Sequence, residues 1–306
     1  MILVLQTISI GIFLFFIIYA VATLTLLAMS VREISWYSRG HGPGPQRPGR
    51  LAHRPSVSLV TPAYNEETLI VQSAKAFLAS DYEPLEVVVV DDRSKDETFA
   101  RLDEAFDLVS LPLRGRTALP TAPIRSIHIS RTEPRLRVVH KDNGGRSDAI
   151  NAGISIARGE LVMIVDADSL LEPDAIARAV VPFEVRPDHC MAVGGGIRVA
   201  NGSKIVGGQV VTPGVSMRVV GATQVLEYLR GFYATRIAWS EMNGLLIISG
   251  AFGVFQARSY LVLFEATEPL VEVLGFAIVV TLVILNASTG PTCWRSSSSQ
   301  RSPARY

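Results

Sequence analysis

The chain opens on an apolar stretch, residues 1–29, interrupted only by Gln6 and a few hydroxyls. That exceeds the roughly 20 residues needed to cross the hydrocarbon core of a bilayer. No basic segment precedes it, and it is longer than the apolar part of a secretory signal, so it reads as a retained membrane anchor. From residue 56 the pattern changes to short, mostly apolar runs, unbroken at 161–165, that alternate with segments of helical spacing. The runs at 57–62, 85–92, 136–140, 161–165 and 191–195 predict strands; the segments 66–79, 95–106, 147–157 and 173–183 predict helices. Ser94 and Glu97 have the spacing of a helix-capping pair. The proline- and arginine-rich stretch 108–135 predicts an exposed loop.

Strands that alternate with helices predict an α/β fold with a mostly parallel sheet and right-handed crossovers. Further on, 219–239 has a broad apolar helical face, suited either to a core or to a membrane surface. Residues 245–255 predict another buried strand, opening into small residues. Residues 270–287 are apolar enough for a buried helix or a marginal membrane crossing, and the Ser/Arg-rich end predicts disorder. The expected organisation is an anchor at 1–30, a basic Gly/Pro linker at 31–55, a catalytic-like domain at 56–255, an apolar helix at 256–289 and a tail at 290–306.

Composition narrows the function. Of 306 residues, 48% are hydrophobic and 19% charged, with a net charge of +1, so no global basic field argues for nucleic acid. The pair Cys190 and Cys293 is too few for a disulfide framework or a zinc cluster and fits a reducing compartment. Arg32, Arg39, Arg47, Arg50 and Arg54 follow the first apolar stretch with Glu33 the only acid among them, which places the domain on the cytoplasmic face of the cell membrane.

The candidate chemistry sits at the strand ends. Tyr64, Asn65 and Glu66 follow the first strand, Asp91 and Asp92 close the second, Lys141, Asn143, Gly144, Gly145 and Arg146 follow the third, and Asp166 and Asp168 follow the fourth. In a parallel sheet these ends share one edge, where open α/β sheets bind ligands. Paired carboxylates suit a hard divalent cation, Mg2+ or Mn2+, that completes its shell with phosphate oxygens. Asp91 or Asp92 would accept from a base or ribose, and Arg146 would offset phosphate charge. Each residue alone is an ordinary turn or cap; together they point to a phosphorylated, ring-bearing ligand.

The motifs VTPAYNEE, VVVVDDRSKDET, NGGRSDAINAGI, VDADSLLEPDA and SGAFGVF, in this order, resemble family 2 glycosyltransferases of the GT-A fold. The likeness is to membrane-bound poly-N-acetylglucosamine, chitin-oligosaccharide and hyaluronan synthases. The resemblance implies a nucleotide-diphosphate sugar donor, a UDP-sugar first among them, and a glycan acceptor. It puts Pro62, Ala63, Tyr64 and Glu66 around the nucleotide, Asp92 facing the base, Asp166 at the ribose or diphosphate, and Asp168 on the metal. Ser249, Gly250, Ala251, Phe252 and Gly253 would lie near the acceptor sugar. Arg146 stands where many relatives have lysine.

The sequence also departs from that family. The acidic motif that supplies the general base and the Gln-x-x-Arg-Trp motif do not follow Phe255; Trp294 and Arg295 occur as Cys-Trp-Arg, in the wrong order. The sequence reads as if the second part of the catalytic domain were missing. Glu265, Glu268 and Glu272 border or enter an apolar run and suit structural roles better than catalysis. Three functions follow as expectations: an inverting, metal-dependent membrane glycosyltransferase; an inactive remnant that binds nucleotide sugar; and a nucleotidyltransferase-like phosphate binder.

Overall fold

The computed structural model describes residues 2–36, 38–39, 54–112, 118–185, 190–200, 202–206, 209–212, 214–215, 218–242 and 248–258. Of the linker predicted at 31–55, residues 31–36 instead continue helix α1 and 40–53 lie outside these residues, as do the apolar segment 270–287 and the tail.

Helix α1, Ile2–Trp36, comes first. The domain then runs β1 (Val57–Ala63), α2 (Ile70–Leu78), β2 (Leu85–Asp91), α3 (Thr98–Phe106), β3 (Leu108–Leu111), β4 (Ile124–Ser130) and β5 (Leu136–Lys141). It continues with α4 (Arg146–Ile156), β6 (Leu161–Val165), α5 (Ala175–Val185), β7 (Ala192–Gly194), β8 (Lys204–Val206) and β9 (Gln209–Thr212). Last come α6 (Val219–Tyr228), a more widely wound stretch Leu229–Arg236, α7 (Ile237–Glu241) and β10 (Phe252–Gln256).

Eight strands make one sheet in the order β3-β4-β5-β2-β1-β6-β10-β7, and β8 pairs with β9 in a separate ribbon. The central β5, β2, β1 and β6 are parallel. They are buried along most of their length because both faces of the sheet are covered, and in β6 the apolar run is unbroken. Leu59, Val87, Val89 and Met163 point to one side, under Phe77 of α2, Leu102 of α3, and Ile176 and Phe183 of α5. Val60, Val88, Val90, Val162 and Ile164 point to the other, under Ala149, Ile150 and Ile154 of α4. Alternate residues of one strand therefore feed two cores. Full burial of each such side chain contributes about 1.5–3 kcal/mol of transfer free energy, offset by the entropy of ordering it.

The structure corrects several expectations. The supposed loop 108–135 contains β3 and β4, which add antiparallel to the β5 edge. In β4 the alternation of Ile127 and Ile129 with His128 and Ser130 supplies a strand pattern that the flanking prolines obscure. Helices α2 and α3 begin at Ile70 and Thr98, later than their apolar spacing suggested. Ser94 does not cap α3: its Oγ accepts the Asn65 N–H at 3.0 Å, while Asp96 Oδ1 accepts the Thr98 N–H at 3.0 Å. Of the strand expected over 245–255, residues 245–247 lie outside the described residues and 248–251 are not strand; β10 begins at Phe252 and runs antiparallel to both β6 and β7.

Within α1, Val4–Trp36 is long and apolar enough to cross a membrane by length and composition. Its C-terminal end packs on the helical stretch that ends in α7, where Ser30 Oγ donates to the Ala234 carbonyl at 2.8 Å. The helix expected at 219–239 is thus tied to α1 at one end, while Val219 and Val220 at the other are solvent-exposed.

Candidate active site

The C-terminal ends of β1, β2, β5 and β6 lie side by side because the strands are parallel and in register, Ala63 beside Asp91 and Asp91 beside His140. The loops after β1 and β2 are laced together by reciprocal bonds. Asn65 Oδ1 accepts the Lys95 N–H at 2.8 Å, Thr98 Oγ1 the Glu66 N–H at 2.8 Å, and Asp96 Oδ2 the Glu67 N–H at 3.1 Å. Burial raises the Asp96 carboxyl, but hydrogen bonds from the Thr98 side chain and backbone outweigh it and hold Asp96 below the usual range. Asn65 takes a left-handed φ of 58°, which asparagine tolerates. This lacing consumes the residues that would otherwise start α2 and α3, and it fixes Tyr64 and Glu66 at the rim.

Asp91 and Asp92 occupy different positions from the rest of the candidate set. Asp91 is buried, and its carboxylate accepts from the Ser94 N–H at 3.0 Å and pairs with His140 Nδ1 at 2.6 Å. Asp92 is also buried and lies beneath the turn that follows β5. Its Oδ1 accepts from Lys141 Nζ at 2.7 Å and the Gly144 N–H at 3.0 Å, and its Oδ2 from the Gly145 N–H at 2.8 Å. Lys141, itself fully buried, also bridges to Asp148 and to the Asp142 carbonyl at 2.6 Å. Gly145 has φ 87° and ψ 172°, a conformation open essentially to glycine alone, and α4 starts at the next residue. Buried charges thus set the path of the NGG turn and aim the first turn of α4 at the crevice.

Arg146 and Asp166 meet there. Arg146 donates from Nε at 3.1 Å and from Nη2 at 2.5 Å to Asp166 Oδ1, and Nη2 also donates to the Gly250 carbonyl at 2.7 Å. Gly250 is in reach because β10 reverses against β6, with Phe252 opposite Val165. Ser249, Gly250 and Ala251 form the turn into β10, with the Phe252 N–H on the Ser249 carbonyl at 3.3 Å. Gly253 lies within the strand, beside Ile164 and Gly194. Pro62 and Ala63, at the end of β1, form the floor next to Asp92, whose N–H donates to the Ala63 carbonyl at 3.0 Å.

Glu66, Asp166 and Asp168 concentrate negative charge at this rim. Burial and then repulsion from Asp168, Asp96 and Asp166 raise the Glu66 carboxyl above its ordinary value. Asp168 is exposed, and Asp166 is half-buried against Arg146. Among the described residues no three carboxylate, histidine or cysteine side chains converge in a ligating geometry. All the donors present are oxygens, however, and their mutual repulsion is of the sign that a divalent cation relieves, so the set fits Mg2+ or Mn2+ with substrate oxygens completing the shell. Sequence reasoning singled out Glu66, Arg146, Asp166 and Asp168. It missed Asp148 and the Asp96–Thr98 pair; the Asp-x-Thr spacing before α3 was the available signal.

Fold and crevice together define an α/β protein that gathers acids and one guanidinium at the carboxyl ends of parallel strands. The chain belongs to the family described as Glycosyl transferase family 2, which it matches over residues 58–210. Its mostly parallel sheet flanked by helices is the GT-A architecture expected of that family. It is 30% identical over 121 residues to the glycosyltransferase GlyG of Streptococcus pneumoniae, covering 39% of this chain and 32% of that one. It is 33% identical over 127 residues to the succinoglycan biosynthesis protein ExoO of Rhizobium meliloti, covering 41% and 29%. A hyaluronan synthase of Pasteurella multocida is 29% identical over 129 residues, covering 42% and 11%. The chain therefore spans about a third or less of the length of these relatives. Among solved structures, it is similar to a mannosyltransferase of Pyrobaculum calidifontis in complex with GDP-Man and Mn2+. The TM-score is 0.45 at 20% identity, over 79% of this chain and 58% of that one.

Proposed function

We propose that this chain is a membrane-anchored glycosyltransferase that binds a UDP-sugar at the strand-end crevice and transfers the sugar, with inversion, to a glycan acceptor. The observation that carries the reading is the contact of Arg146 with Asp166, from two separate strand ends, at a rim where the Glu66 carboxyl is raised by burial and then by the charges of Asp168, Asp96 and Asp166. Relatives named as hyaluronan and chondroitin synthases support a glycan acceptor. The length and apolarity of Val4–Trp36 support the anchor, and the arginines after it support a cytoplasmic domain.

In this reading Pro62, Ala63 and Tyr64 flank the nucleotide. Asp91 and Asp92 act from below by holding the two loops that shape its pocket. Asp166 and Arg146 face the diphosphate, and Asp168 would hold the Mg2+ or Mn2+ ion, which supplies charge against the departing diphosphate. The turn from Ser249 to Gly253 faces the acceptor.

Transfer also needs a carboxylate within hydrogen-bond reach to take the acceptor's hydroxyl proton, worth about 10² to 10⁴ in rate. The sequence after Phe255 departs from the family's acidic motif that would supply this base. That departure is what supports a second reading, in which the chain binds donor without turning it over. Calorimetric titration of the full chain in detergent with UDP and MnCl2 tests the shared part. Binding should require Mn2+ and weaken at least about tenfold in Asp168→Ala, as expected for loss of a charged ligand. Metal-independent binding that survives the substitution would refute the site. A preference for nucleoside triphosphate over sugar diphosphate would favour a nucleotidyltransferase-like binder instead. Release of radiolabelled sugar from UDP-sugar then separates an enzyme from a donor-binding remnant.

A further inference from the structure

The guanidinium of Arg146 does more than neutralise an acid. Its Nε and Nη2 hold Asp166 on the donor side, and the same Nη2 donates to the Gly250 carbonyl in the turn that precedes β10. The side chain is 46% exposed, and among the described residues Nη1 makes no hydrogen bond. A Cβ on Gly250 would stand only 3.1 Å from both Nη1 and Nη2, so the turn lies directly against the Nη end of the guanidinium.

We propose that Arg146 is a positioning residue that clamps the 249–253 turn to Asp166, leaving Nη1 free to meet a donor phosphate oxygen. The clamp depends on the shape of the side chain. A planar fork reaches a carboxylate and a carbonyl at once, while keeping an edge for the phosphate; an ammonium has one nitrogen for all three partners and a stem too flexible to fix their spacing. Arg146 therefore sets the distance between the donor subsite and the turn facing the acceptor. The phosphate half of the proposal rests on the nucleotide-sugar reading above. The clamp itself does not.

Two substitutions separate the halves. Arg146→Lys removes the fork and keeps the charge; Arg146→Gln removes both. Hydrogen–deuterium exchange of the full chain, in detergent and without ligand, should show residues 249–256 exchanging roughly tenfold faster in both variants than in the unsubstituted chain. UDP affinity in the presence of Mn2+ should fall by about threefold for Arg146→Lys and by about tenfold or more for Arg146→Gln, because affinity follows charge. Gly250→Ala, which crowds the guanidinium from the other partner, should speed exchange in the same segment by a smaller factor. Exchange in Arg146→Lys equal to that of the unsubstituted chain would overturn the clamp. Equal UDP affinities in all the Arg146 variants would overturn the phosphate role. Failure of the unsubstituted chain to bind UDP would sink the nucleotide-sugar reading and the phosphate half with it, while the exchange result still decides the clamp.

Discussion

Replacing Lys141 by methionine should destabilise the domain by about 3 kcal/mol, the lower end of the range for breaking a buried ion pair. Lys141 is fully buried, and its ammonium is shared by Asp92 at 2.7 Å, by Asp148 and by the Asp142 carbonyl at 2.6 Å. Methionine fills a similar volume, so the loss is electrostatic rather than a cavity. Two features moderate it. Asp92 keeps the Gly144 and Gly145 N–H donors, and Asp148 is 23% exposed and can be rehydrated. For a domain of this size about 3 kcal/mol corresponds to a fall in Tm of about 6–12 °C. The assay is thermal unfolding of the detergent-solubilised chain followed by circular dichroism. Asp92→Asn added to Lys141→Met should cost less than the sum of the two single changes by about 1–2 kcal/mol, because the second change removes the charge the first leaves unpaired. A fall in Tm under about 2 °C for Lys141→Met, with additive effects in the double variant, would refute the reasoning.

Two further outcomes follow from the same rim. Gly145→Ala meets no neighbouring atom within 4 Å, so its effect is backbone strain alone, about 1–3 kcal/mol, and it should lower both Tm and UDP affinity; an unchanged Tm would contradict the φ of 87°. Glu66 has a carboxyl raised by burial and then by its acidic neighbours, so the folded state holds its proton more tightly than the unfolded chain does. The stability this contributes is complete below the ordinary value of 4.5 and is lost as pH rises through the folded value. Glu66→Gln should therefore melt higher than the unsubstituted chain at neutral pH, with the gap closing toward about pH 4 and narrowing on addition of Mn2+. Equal melting at neutral pH would show that burial and the neighbouring acids do not raise the Glu66 carboxyl.

The four parallel strands were legible because strands covered on both faces leave short, mostly apolar runs, wholly so in Leu161–Val165. A strand with one wet face, or an amphipathic helix, would have broken such a run with polar side chains. The acids were legible because each sits immediately beyond a run of this kind. The antiparallel edge was not: β4 shows its alternation over few residues, between prolines that signal turns. Helix starts were misplaced for a different reason. Glu66, Glu67 and Glu97 have good helical spacing, but side chains of the opposite loop take up their backbone N–H groups, and those bonds are non-local. The inward position of Asp91 and Asp92 was hidden likewise. Nothing near them in the chain announces that Lys141, His140 and the NGG turn will take up their oxygens.

The reversed strand β10 has a consequence for how this chain can vary. Gly253 pairs with Gly194 on one side and with Ile164 on the other, so the excursion between β7 and β10 leaves and re-enters the sheet at adjacent points. Its closure is fixed by those pairings, and lengthening a closed loop adds entropy only logarithmically. Insertions or deletions between β7 and the 249–251 turn can therefore remodel whatever the excursion touches while Gly250 stays beside Asp166.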